Sequence, residues 1–357
     1  MSIPPGSTIG IVGGGQLGRM LSVAAAQLGY RCHIFDPHEH PCASEVAAEF
    51  TRAPFDDEQA LRRFADVCDV VTYEFENLPV EPMRAVADKL RPGLTSLAIA
   101  QDRAEEKAFI EGTGARVAPW CAVESLEELD AAVAELGLPI VLKTRRYGYD
   151  GKGQAWIRAP GEAEAAWNSI GCQPAVAEAG VNFEAEFSVI VARSTDDEGV
   201  YWEPIENRHE GGILRRSTVP AGSVVAGCAE EAESAAITIA ARLEHVGVLT
   251  VEFFATPHGP IVNEIAPRVH NSGHWTIEGS LTSQFEQHIR AICGLPLGAR
   301  TRVVASVTME NLIGDEVHRW PELVAEQGAH VHIYGKGKAR PGRKMGHVTR
   351  LGLADPV

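Results

Sequence analysis

Two hydrophobic periods alternate along the first hundred residues. Thr8 to Val12 is a short apolar run. Leu17, Met20, Leu21, Ala24 and Leu28 then recur at helical spacing until Gly29. Arg31 to Phe35, closed by Asp36, and Val67 to Phe75 predict further strands, and Pro79 to Leu90 a helix. This is βαβ construction, which predicts a parallel sheet with helices on both faces. Asp102 predicts an N-cap for a helix running to Glu111. Ser125 caps another, with Leu126, Leu129, Val133 and Leu136 on one face and Gly137 at its end. Pro139 to Leu142 is an apolar strand ending at Lys143. Phe183 to Val191 alternates, with Phe183, Ala185, Phe187, Val189 and Val191 on one face and Glu184 and Glu186 on the other. Leu249 to Phe254 and Ile261 to Ile265 flank Pro257-His258-Gly259-Pro260, a hairpin signal.

Composition narrows the class. At 357 residues, with 45% hydrophobic and 22% charged positions, the chain predicts two or three globular domains. Its formal net charge of -16 argues against a bulk nucleic-acid or anionic-membrane binder. Any anionic ligand must therefore meet local basic clusters. No apolar run suggests a membrane span, and Met1 to Gly6 has no signal-peptide character. The 7 scattered cysteines include no Cys-x-x-Cys pair, so reduced thiols in a cytoplasmic protein are expected.

Several segments carry candidate chemistry. Gly13, Gly15 and Gly18 match the dinucleotide fingerprint, with Asp36 ending the next strand. Either an NAD-dependent oxidoreductase or simple close packing of helix on strand accounts for them. Both put exposed N–H groups at a helix N-terminus. Glu74 and Glu76 fall on one face of a strand, where they repel unless they meet solvent, hydroxyls or an amine. Lys143, Arg145, Arg146 and Lys152 surround the glycine-rich stretch Gly148-Tyr149-Asp150-Gly151-Lys152-Gly153-Gln154. Such a loop can close its N–H groups over phosphate, the alternative being a mobile hairpin without ligand. If the later hairpin is symmetric about His258, Glu252 lies opposite Glu264 with Cβ atoms about 5 Å apart. That pair calls for a cation, and Mg²⁺ suits it beside a phosphate loop. Strict alternation turns Asn263 to the other face, so it acts through its backbone or sits at a bulge. Arg268, His270, Asn271, Ser272 and His274 place five polar residues within seven positions, too polar for a buried turn without function. Val331 to Arg350 contains Lys336, Lys338, Arg340, Arg343, Lys344 and Arg350 and no acid: a solvated basic run or a phosphate clamp.

These features together resemble the ATP-grasp enzymes. Six stretches in order sharpen the likeness: Gly13 to Met20, Tyr73 to Asn77, Gly148 to Gly153, Asn263 to Arg268, His270 to His274, and Gly342 to His347. They look like the motifs of the 5-(carboxyamino)imidazole ribonucleotide synthase family, the ATPase subunit of phosphoribosylaminoimidazole carboxylase. The resemblance runs from about Ile9 to about Arg350. It implies an α/β ATP-grasp fold. A Rossmann-like preATP-grasp domain would span residues 1–100 and a small lid domain 101–180. A large α+β domain with a basic C-terminal segment would span 181–357.

The family's reaction carboxylates 5-aminoimidazole ribonucleotide with bicarbonate. It consumes ATP through carboxyphosphate and serves purine biosynthesis. The resemblance therefore implies a cytoplasmic, homodimeric ligase using ATP and Mg²⁺, with small-molecule substrates and no nucleic-acid or membrane partner. It places Arg103, Lys143, Gly148, Tyr149, Asp150, Gly151, Lys152, Gly153, Gln154, Glu178, Ala179, Gly180, Val181, Glu186, His209, Asn263 and Glu264 at ATP. Glu186 would take the ribose hydroxyls, and Glu252 with Glu264 would hold Mg²⁺. Arg268, His270 and Asn271 would serve bicarbonate and carboxyphosphate, with His270 in the intrinsic pKa range to move a proton. Lys336 and Arg343 would take the ribonucleotide phosphate, and Glu74, Tyr149 and Asp150 the rest of that nucleotide. The NAD-dependent oxidoreductase remains the alternative.

Overall fold

Three sheets carry the apolar runs. The computed structural model describes residues 2–148 and 153–352. In the first layer β1 (Thr8–Val12), α1 (Gln16–Gln27), β2 (Arg31–Asp36), β3 (Glu49–Arg52), α2 (Glu58–Asp66) and β4 (Val70–Tyr73) build an all-parallel sheet of order β3-β2-β1-β4. Two expectations are corrected here. The strand expected from Val67 begins at Val70, because Val67 still caps α2. The helix expected from Pro79 to Leu90 is α3 (Val80–Met83) followed by 3₁₀ turns from Arg84 to Lys89. Pro82 lacks the N–H that would bond the Leu78 carbonyl, and the Gln101 amide takes that carbonyl instead.

After α4 (Leu94–Ala100), Asp102 caps α5 (Arg103–Gly112) by accepting from the Ala104 N–H at 3.1 Å. Then β5 (Trp120–Val123), α6 (Leu126–Leu136), β6 (Ile140–Thr144), β7 (Gln154–Ile157), α7 (Ala163–Ser169) and β8 (Ala175–Ala179) form a four-stranded antiparallel sheet of order β5-β8-β6-β7. Ser125 accepts from Glu128 N–H, and Gly137 closes α6 at φ 74°, a conformation that favours glycine.

The third sheet is nine-stranded. Its members are β9 (Ala185–Arg193), β10 (Gly199–Tyr201), β11 (Ile205–Glu210), β12 (Ile213–Val219), β13 (Gly247–Thr256), β14 (Gly259–Ala266), β15 (Ser306–Ile313), β16 (Ala329–Ile333) and β17 (Lys344–Gly352). Between them run α8 (Ser223–Arg242), the single turn α9 (Thr276–Gly279), α10 (Gln284–Ile292) and α11 (Trp320–Ala325). The order is β14-β13-β9-β11-β12-β15-β17-β16, with β10 on the free part of β9. Alternation in β9 predicts one apolar face, yet both are buried. Phe187, Val189 and Val191 pack under α8, while Ile190 and Ala192 join a core shared with α10 and α1. The basic run is thus no solvated tail: β16, a loop and β17 return it to the sheet. Among the described residues, no helix is long and apolar enough to cross a membrane.

Candidate active site

The glycine loop is already filled by the chain itself. Glu74, just beyond β4, accepts from Gly15 N–H at 2.7 Å and Gly18 N–H at 3.0 Å. Asp36 accepts from Gly14 N–H at 2.8 Å. These are the amides a dinucleotide pyrophosphate would need. A Cβ on Gly15 would collide with the Glu74 carboxylate, so glycine is required for the chain's own side chain. The oxidoreductase alternative therefore loses its anion site. The expected repulsion between Glu74 and Glu76 also falls away, since β4 stops at Tyr73 and the two side chains diverge. Glu76 forms a two-point ion pair with Arg268.

A cleft of about 1030 Å³ opens between the three sheets. Glu74, Arg103, Lys143, Gly148, Gly153, Gln154, Glu178, Ala179, Val181, Glu186, His209, Glu252, Asn263, Glu264, Arg268, His270, Asn271, Lys336 and Arg343 all line it. Gly180 stands back from it, its N–H bonded to the Pro139 carbonyl at 2.8 Å. Tyr149, Asp150, Gly151 and Lys152 lie outside the described residues. The apolar end is formed by the expected Val181 together with Val141, Trp156 and Phe254, which the motifs did not single out.

Several cations of this cleft are paired with carboxylates. Arg103 donates to Glu264 at 2.8 Å. Lys143 lies 3.1 Å from Glu178 and Lys107 lies 3.0 Å from it, so one carboxylate serves two buried ammonium groups. His209 lies 2.9 Å from Glu186, and His270 Nε2 lies 2.9 Å from Glu252 Oε1. Burial opposes ionisation of Glu264, but Arg103 and Lys143 outweigh it and hold the carboxyl down at about 2. Burial alone would depress His209, yet the Glu186 hydrogen bond leaves it above its ordinary value. Arg145 and Arg146, expected beside phosphate, instead grip Asp102. Arg145 does so through two bonds of 2.9 Å, which tie the base of the glycine-rich loop to the start of α5.

The acidic pair occurs in register, Glu252 against Glu264, but not through symmetry about His258. The turn pairs Thr256 with Gly259, and a bulge between the Phe253–Val262 and Glu252–Glu264 pairs makes Asn263 the extra residue that restores the phase. At the bulge, Asn263 Oδ1 accepts from Lys143 at 3.1 Å, while its carbonyl lies 3.5 Å from Lys107 Nζ.

Sequence reading missed several residues. Arg103, Glu106 and Lys107 recur at i, i+3 and i+4, so one face of α5 is ionic. That pattern ordinarily reads as solvated, yet Glu106 and Lys107 are both buried. Burial, only partly offset by Arg103, pushes the Glu106 carboxyl up to about 8, and it accepts from Ile265 N–H at 2.6 Å. Asn271 is engaged by Asn311 in a reciprocal amide pair of 2.9 and 2.6 Å. Both ends of its amide thus hold the loop to β15. Lys336 donates to the Lys344 carbonyl at 2.9 Å and lies 5.4 Å from the Tyr334 ring centroid. Arg343 donates to the Lys336 carbonyl at 3.0 Å.

Comparisons with known proteins agree with this geometry. Residues 6–101 match a ribonucleotide synthetase preATP-grasp domain, 108–285 an ATP-grasp domain, and 307–355 a phosphoribosylaminoimidazole carboxylase C-terminal domain. The N5-carboxyaminoimidazole ribonucleotide synthase of Brucella melitensis is 48% identical over 98% of both chains. A solved ADP complex of an N5-carboxyaminoimidazole ribonucleotide synthetase superposes with a TM-score of 0.94 at 41% identity, covering 99% of this chain and 94% of its own. An Aspergillus clavatus N5-carboxyaminoimidazole synthase in complex with ADP and 5-aminoimidazole ribonucleotide gives a TM-score of 0.91 at 30% identity, covering 98% of this chain and 94% of its own. With its three sheets, its cleft and these relatives, the chain belongs to the N5-carboxyaminoimidazole ribonucleotide synthase family of ATP-grasp enzymes.

Proposed function

We infer that this chain is the ATP-dependent ligase that joins bicarbonate to the exocyclic amine of 5-aminoimidazole ribonucleotide. The observation that carries the reading is the cleft itself. It has an apolar end, a phosphate-sized cluster of Arg103 and Lys143, an acidic pair, and a separate basic group at Lys336 and Arg343. Bicarbonate oxygen attacks the γ-phosphorus of ATP, and ADP leaves. The amine then takes the carboxylate, directly or as CO₂, and phosphate leaves. Carboxyphosphate hydrolyses readily, so the loop from Gly148 to Gln154 is proposed as the lid that excludes water.

Within that scheme, Arg103 and Lys143 hold the phosphates, and Glu186 with His209 the ribose. The carboxylate of Glu178 is committed to two lysines, leaving Ala179 and Val181 to face the adenine. Arg268, oriented by Glu76, stabilises the anion that develops on carboxyphosphate. Glu252 and Glu264 fit Mg²⁺. One oxygen of Glu264 accepts from Arg103 and one of Glu252 lies 2.9 Å from His270, while the other oxygen of each has no partner among the described residues. Among those residues no cluster of three or more metal-binding side chains exists. Phosphate oxygens and water would complete the shell, as Mg²⁺ prefers. When bound, the ion would neutralise charge on the transferred phosphoryl group. The lid division at 101–180, a homodimer and a cytoplasmic setting for the free thiols belong to the same proposal.

The direct test is ADP release. It should require bicarbonate and 5-aminoimidazole ribonucleotide together. Equal release with formate and another ribonucleotide would refute the substrate assignment.

Lys336 supplies a second expectation. Burial, its largest influence, depresses the ammonium group to about 8. It is charged below that pH and neutral above it. Thus kcat/KM for the ribonucleotide should fall as pH rises through about 8, while kcat/KM for ATP should not break there. Lys336→Ala should raise the ribonucleotide KM at least about tenfold and the ATP KM far less, because one charge-assisted hydrogen bond is lost. Equal changes in both constants would remove Lys336 from the phosphate site.

A further inference from the structure

A row of polar side chains crosses the large sheet beneath the reactive loop. Glu252 on β13 stands opposite Ser188 on β9, and Asn207 on β11 stands opposite Ser217 on β12. Ser188 and Ser217 are fully buried and Asn207 nearly so. Ser217 Oγ donates to Asn207 Oδ1 at 2.8 Å, and Asn207 Nδ2 donates to Ser188 Oγ at 3.0 Å. Ser188 Oγ lies 2.7 Å from Ser272 Oγ, which lies 2.9 Å from His270 Nδ1. The other ring nitrogen of His270 faces Glu252.

Ser188 accepts from Asn207, so its own hydrogen goes to Ser272, and the Ser272 hydrogen then goes to His270 Nδ1. Reversing every bond, with the Asn207 amide flipped, would put a hydrogen on Nδ1. But the Ser272 backbone N–H also points at Nδ1, at 3.3 Å, and two donors would then confront each other. Only the first arrangement satisfies every buried group.

Resting on the site assignment above, we propose that Ser272, backed by Ser188, Asn207 and Ser217, is a positioning residue that fixes His270 as the Nε2–H tautomer. The Nε2–H of His270 is then held on the side of Glu252, 2.9 Å from one carboxylate oxygen. This revises the expectation that His270 acts as a proton carrier: the nitrogen facing the site already bears its hydrogen, and the other is capped by two donors.

The test reads the imidazole directly. Full-length protein labelled with ¹⁵N-histidine is examined by solid-state NMR, and His270 is identified by difference against His270→Asn. The expected spectrum has an unprotonated Nδ1 and a protonated Nε2. A hydrogen on Nδ1, in the neutral or the cationic ring, overturns the proposal. The spectrum is recorded without substrates, so it stands or falls separately from the assignment of the reaction. In turnover, Ser272→Ala should lower kcat roughly tenfold with an unchanged KM for ATP, and Ser272→Thr should restore most of it. An unchanged kcat in Ser272→Ala would reduce the chain to a structural role and sink the proposal.

Discussion

Glu264→Gln should abolish ADP formation, by about a thousandfold or more, while leaving the fold intact. The isosteric amide keeps an oxygen for the Arg103 hydrogen bond at the 2.8 Å position. It removes the negative charge from a place where Arg103 and Lys143 already concentrate positive charge. Losing a ligand that neutralises phosphoryl transfer costs several kcal/mol of transition-state stabilisation, which is the stated factor in rate. Glu252→Gln should behave alike. The double variant should be little worse than either single one, because paired carboxylates act as a unit. Unfolding midpoints close to that of the parent protein would show that the fold survives. Ordinary turnover at ordinary Mg²⁺ would instead mean that the opposed carboxylates do not hold the ion.

The largest expected effect on stability belongs to Glu178. Its carboxylate is the shared counter-charge of Lys107 and Lys143. Burial raises its pKa, but Lys143 and Lys107 outweigh that effect and keep it below the usual carboxylate range. Glu178→Ala leaves two buried ammonium groups whose remaining hydrogen-bond acceptors among the described residues are the oxygens of Asn263. Breaking a buried pair in this way costs roughly 3–5 kcal/mol. Urea denaturation would measure it. Combining Glu178→Gln with Lys107→Met should recover much of the loss, since an apolar replacement carries no charge to leave unpaired. A Glu178→Ala protein as stable as the parent would show that the lysines are neutral or solvated in the folded state.

Local rules and long-range pairing differ in how plainly they are written. The caps at Asp102 and Ser125 and the stop at Gly137 were legible because each depends on residues within one turn. The facing of Glu252 and Glu264 was also legible, though for an incomplete reason. A two-residue turn and a bulge at Asn263 cancel, and no pattern of apolar positions reveals a cancellation. β3 escaped notice because it is a short, half-exposed edge strand without an apolar face. The partners of Arg145 and Arg146, of Asn271 and of Glu178 were illegible for another reason. Asp102, Asn311 and Lys107 are brought to them by tertiary packing. Glycine spacing correctly marked an anion-binding turn, but spacing cannot say whether the anion comes from solvent or from the chain.

At the first helix, the anion comes from the chain. Glu74 occupies the amides of Gly15 and Gly18 as a tethered guest. A free nucleotide leaves such a turn at a rate set by its affinity and returns at a rate set by its concentration. A covalently attached carboxylate does neither, because its effective concentration does not fall on dilution. The turn is therefore saturated at every cofactor level in the cell. An architecture that elsewhere senses redox cofactors works here as a permanent latch between the segment that leaves β4 at Glu74 and the helix that begins at Gln16.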